Sequence, residues 1–75
     1  MTERNINTEI MEYMVWVVEL AAENIFNGDK SLAYKKLKDN GIWDLFIQSY
    51  DVTHTLGASC IIDEIKEILL AKKAL

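Results

Sequence analysis

The residue type best suited to proton transfer at neutral pH occurs once in this 75-residue chain, as His54. It lies in the run Tyr50-Asp51-Val52-Thr53-His54-Thr55, with the single cysteine, Cys60, six residues on. An acid–base reading would let His54 move the proton, Asp51 orient the ring, and Thr55 or Cys60 supply a nucleophile. The structural reading has the imidazole bond a backbone carbonyl or a helix end and so fix a turn. A lone histidine beside a threonine suited to helix capping favours the second, and no residue is assigned to catalysis. Cys60 falls on the fringe of an apolar stripe and is expected to be a small buried thiol without special reactivity. One histidine and one cysteine with scattered carboxylates do not form a metal ligand set. No glycine-rich phosphate loop or calcium-loop pattern occurs either, so no metal or cofactor is expected.

Two other groups of side chains could recognise something without transforming it. Trp16 falls in the middle of a stripe of glutamates, Glu9, Glu12, Glu19 and Glu23, with Tyr13 and Leu20 at its edge. A large aromatic on a polar face marks a partner surface, and tryptophan is enriched among interface hot spots. The alternative is that another helix or the N-terminal tail folds over the indole within one molecule, and the sequence leaves both open. The second group is Lys30, Lys35, Lys36 and Lys38 around Tyr34, which suggests a nucleic-acid face. Yet the net charge is −4, whereas phosphate binding needs a positive face. The would-be recognition helix, Trp43-Asp44-Leu45-Phe46-Ile47-Gln48, has an acid and no Arg or Lys. A solvated lysine face is the preferred account, and nucleic acid is not the expected partner.

The elements that must carry these residues read as helices. Proline is absent and glycine occurs three times, which suits long uninterrupted helices. A first helix is expected from Asn7 or Thr8 to Phe26, capped by Thr8, and ended by Asn27-Gly28, which tolerate positive φ. Away from its glutamates it is apolar (Ile10, Met11, Met14, Val15, Val17, Val18, Ala21, Ala22, Ile25), so it should pack on more than one side. A second helix should run from Lys30 to Asp39, capped by Asp29 and stopped by Asn40-Gly41, with Leu32, Ala33, Leu37 and Tyr34 turned inward. A third should run from Ile42 to Tyr50 on Ile42, Leu45, Phe46 and Tyr50. Asp51 to Thr55 should be a break, because Asp and Thr bond their own backbone. A fourth should run from Leu56 to Lys73, capped by Thr55, with a stripe of Ala58, Ile61, Ile62, Ile65, Ile68 and Leu69.

Length and composition bound the rest. The chain is read as one helical domain over residues 1–75. A body this small hides only ~60% of its unfolded surface, while 51% of its residues are hydrophobic. Surplus apolar surface is therefore expected to meet a partner. A lone cysteine builds no disulfide, and Met1-Thr2-Glu3-Arg4-Asn5 is not the basic start of a signal peptide, so a reducing, cytoplasmic setting is expected. The longest apolar runs fall far short of the ~20 residues of a membrane span.

From Gly41 onward the chain resembles a family of small, uncharacterised bacterial proteins of about this length. The resemblance rests on Gly41-Ile42-Trp43-Asp44, on Ile47, on Tyr50, Asp51, His54 and Thr55, and on Ile61, Ile62 and Ile65. Family members share a Tyr-Asp-Val-x-His-Thr turn before a final helix, and commonly carry leucine where this chain has Thr53. Such proteins are often encoded beside ones resembling ADP-ribosyltransferase toxins. The resemblance thus implies a toxin–antitoxin or phage-defence module, with this chain as the neutralising partner.

The expected molecule is a compact all-α bundle of about four helices. Its first helix should pack on the third and fourth, with the second more peripheral. The expected function is noncatalytic interaction with protein, as a homodimer, with a toxin-like enzyme, or both. A nucleic-acid-binding regulator and an enzyme using His54 stand as the alternatives.

Overall fold

A computed structural model describes residues 8–74. It contains α1 (Thr8–Ile25), α2 (Lys30–Asp39), α3 (Ile42–Gln48), the single turn α4 (Tyr50–Thr53) and α5 (Ala58–Ala71). No strand occurs among the described residues, and the all-α bundle expected from the sequence is what forms.

The central role of α1 follows from its apolar arc. Met14, Val17 and Ala21 recur at helical spacing and are fully buried together with Ala22. The helix packs against α2, α3 and α5. Its broadest contact is with α2, so the second helix is not peripheral. Ala33 of α2 is as fully buried as Ala21 and Ala22, and side chains this small let helices approach closely. Phe26, Leu37, Ile42, Phe46, Ile61, Ile65 and Leu69 complete one core, with no buried polar residue among the described residues. Removing each large aliphatic or aromatic group from water contributes about 1.5–3 kcal/mol. The arc of α1 nevertheless exceeds its neighbours, and Met11 and Val15 stay exposed.

Local chemistry sets the boundaries. Asp29 accepts from the Leu32 amide at 3.0 Å and starts α2 as expected. Asn27 and Gly28, at φ 56° and 86°, end α1, and Gly41, at φ 76°, separates α2 from α3. Thr8 is itself the first helical residue rather than a cap. The Asn7 start and the N-terminal pentapeptide lie outside the described residues.

The expected break at Asp51 to Thr55 is corrected to a helical turn. The Ser49 carbonyl accepts from the Val52 and Thr53 amides, both at 2.8 Å, and from the Thr53 hydroxyl at 3.2 Å. The Thr55 hydroxyl donates to the Val52 carbonyl at 2.7 Å. Thr55 therefore closes α4 instead of capping the last helix. That helix begins two residues later than expected, after Gly57, with no side-chain cap. At its far end Lys73 takes φ 57°, while the Ala74 amide reaches the Leu69 carbonyl at 2.8 Å and that of Lys73 reaches Leu70 at 3.0 Å. This is the Schellman pattern, with lysine where glycine is usual. Lys73 thus lies beyond the helix.

Five inward assignments also change. Leu32, Tyr34 and Leu45 are exposed, as is Ala58. So is Cys60: the stripe of α5 is centred on Ile61, Ile65 and Leu69, and the preceding position points ~100° away from it. No described helix is long and apolar enough to cross a membrane.

Candidate functional site

Two groups that the sequence keeps far apart meet where α1 passes α4. On α1, Tyr13 and Trp16 are three residues apart and share a face. Their ring centroids lie 5.9 Å apart at 40°. On α4, Tyr50 and His54 are four apart and stack at 4.5 Å and 15°. Tyr13 meets Tyr50 edge to face, at 5.3 Å and 75°. Trp16, Tyr13, Tyr50 and His54 thus form one row of rings across two helices. Such pairs contribute ~0.5–1.5 kcal/mol each beyond area burial. Leu20, one turn on from Trp16, is half-buried against the core.

The row has a wet end and a dry middle. His54 is exposed, and its Nδ1 is hydrogen-bonded to the Tyr50 carbonyl, one helical turn back. This is the carbonyl bond of the structural reading, and it leaves only Nε2 for any other role. Asp51 accepts no hydrogen bond from the imidazole among the described residues, and the Thr55 hydroxyl is committed to Val52. The Asp51–His54–Thr55 relay is therefore not assembled. Tyr13 is the dry group. Its hydroxyl is withdrawn from solvent and makes no hydrogen bond of ordinary geometry. Burial raises its pKa above the usual phenol value; Thr53 beside it offsets part of that rise, and Tyr50 adds to it. The Thr53 hydroxyl hydrogen is turned to Ser49.

Trp16 remains 37% exposed, so no described helix wraps the indole. The alternative in which the N-terminal tail covers it falls on residues 1–7, outside the described residues. Met11 and Val15 lie on the same helix, at 40% and 53% exposure.

On the other side of α4 is a cleft of about 340 Å³ lined by Leu45, Phe46, Ser49, Val52, Thr53, Leu56 and Glu64. The sequence reading missed it. Leu45 was assigned to the core, and Val52 lay in a presumed loop without a face. The available signal was that Leu45, Val52 and Leu56 recur every few residues, as on a continued helical surface.

Three lysines of α2 contact their own chain. Lys30 pairs with Glu19 at 3.5 Å, and Lys35 with Asp39 at 2.9 Å. Lys38 Nζ lies 5.8 Å from the centre of the Trp43 ring, which meets Tyr34 edge to face at 5.0 Å. These exposed contacts are weak. Among the described residues no group of three His, Cys, Asp or Glu could hold a metal ion.

Residues 12–72 match a family model described as a protein of unknown function, DUF3791. The match extends the resemblance back from Gly41 through most of α1 and spans both the ring row and the cleft. No curated protein and no solved structure matches the chain.

Proposed function

We propose that this chain, which belongs to the DUF3791 family of small uncharacterised bacterial proteins, is a noncatalytic module that binds another protein through the exposed side of α1. The observation that carries the reading is Trp16, one-third exposed at the end of a packed ring row and on the same helix as exposed Met11 and Val15. An indole held by neighbouring rings presents a large apolar surface at little entropic cost, the property that makes aromatic residues binding anchors. The first partner to test is the one implied by the resemblance, an ADP-ribosyltransferase-like protein encoded alongside, which this chain would neutralise in a cytoplasmic toxin–antitoxin or phage-defence module. A second copy of the chain is the other candidate. The lysine face of α2 is the weaker reading, because the chain carries a net charge of −4 and α3, with Asp44 and no Lys or Arg, offers nothing to read phosphates or base edges.

Co-purification with the neighbouring gene product, together with light scattering of the pure protein, tests the proposal. A complex or a dimer is expected. Trp16→Ala should leave the helical circular dichroism intact and weaken the association about thirtyfold, the effect of a hot-spot residue. A strict monomer that captures nothing encoded nearby overturns it.

A further inference from the structure

We propose that the cleft between α3, α4 and α5 is a docking groove for a basic amphipathic helix of a partner protein. Leu45 from α3, Val52 from α4 and Leu56 from the turn before α5 are 44%, 66% and 37% exposed, and all three line this one cleft above the buried Phe46. Isolated exposed aliphatics need no explanation, whereas converging ones mark a binding surface. The lining is not that of a small-molecule site. Its volume of about 340 Å³ is near the lower limit for such pockets, and orienting a small ligand takes several convergent polar groups. Here the Thr53 hydroxyl is turned to the Ser49 carbonyl. A helix needs less: apolar anchors one turn apart and a matching charge at the rim.

The charge is what selects the occupant. Glu64 is the one charged residue lining the cleft, and no lysine lines it. Glu64 makes no ion pair among the described residues, whereas Lys30 and Lys35 pair on α2. The whole chain carries −4. Lysine or arginine flanking the anchors would be drawn to this rim, and an anionic lipid surface would be repelled. The inference shares with the interaction reading only the premise that the ligand is a protein, and it makes no use of Trp16.

The test titrates the full chain with a ~14-residue peptide, about four helical turns, bearing leucines on one face and lysines on the other. A second peptide carries glutamate in place of lysine. The lysine peptide should saturate, and amide shifts should cluster at Leu45, Val52, Thr53 and Leu56. Glu64→Lys should weaken that peptide about tenfold and strengthen its glutamate counterpart, as expected for a rim charge. Trp16→Ala should leave both affinities unchanged. The proposal is overturned if the shifts lie elsewhere, if both peptides bind alike whatever the charge at position 64, or if Trp16→Ala abolishes binding. Loss of partner capture in Trp16→Ala with peptide binding intact would separate this groove from the surface on α1.

Discussion

Tyr13 carries a conflict that two measurements expose. Its ring joins Trp16 to Tyr50, while its hydroxyl is buried and makes no hydrogen bond of ordinary geometry. Tyr13→Phe keeps the ring contacts and removes the unsatisfied oxygen, so urea unfolding at pH 7 should show equal stability or a gain of up to about 1 kcal/mol. The raised pKa of Tyr13 fixes the sign of an alkaline effect. Below the unfolded phenol value of ~10 both states hold the proton, and stability does not depend on this group. Above it the unfolded state releases the proton first, so stability falls as pH rises through the folded value. Urea melts at pH 9 and above 10 should show the fall, and Tyr13→Phe should blunt it. At the other end of the row, His54→Ala loses the stack on Tyr50 and the carbonyl bond, and should cost about 1 kcal/mol. An unchanged melting temperature would show that the imidazole does not hold the turn. The spacing of Tyr50 and His54 was legible, but their meeting was not, because Asp51, Thr53 and Thr55 suggested a loop. The threonines do bond the backbone as their chemistry dictates, and the carbonyls they choose, three and four residues back, close a helical turn instead of opening one.

The caps of α2 are where sequence and helix boundaries agree best. Both limits of α2 follow from Asp29 at one end and Asn40-Gly41 at the other, since an acceptor for the Leu32 amide and a left-handed glycine are local requirements. Asp29→Ala should cost about 1 kcal/mol, read as a lower urea midpoint with the same slope. The end of α5 gives the opposite case. Lys73 adopts φ 57°, a region that penalises a Cβ, and Lys73→Gly should raise stability by about 0.5–1 kcal/mol in the same assay. Failure of the midpoint to rise would show that the left-handed lysine costs nothing. What local chemistry did not reveal was which apolar residues lack a neighbour. Leu32 and Leu45 have the right spacing for burial, yet remain exposed because no described element lies over them. Cys60 differs: read as the fringe of the stripe and expected buried, it is exposed, because one position before Ile61 the helix surface has turned ~100° away.

The whole molecule is longer than it is wide, 37 × 23 × 22 Å, with a radius of gyration of 12.1 Å against ~11 Å for a compact chain of this size. The all-α class and the centrality of α1 were legible from composition and from its wide apolar arc. The prominence of α2 was not, because it shows in buried alanines, Ala21 and Ala22 on α1 and Ala33 on α2, and alanine carries little pattern of its own. If α1 pairs with a second copy, scattering at rising concentration should show a radius of gyration growing beyond 12.1 Å, and Val15→Lys should suppress the growth by placing a cation on that face. Any such experiment must reckon with the exposed free cysteine, Cys60. Air oxidation can couple two chains there, doubling the mass without involving either apolar face. That covalent pair vanishes with a reducing agent and in Cys60→Ser, whereas a pair held by helix faces outlasts both treatments.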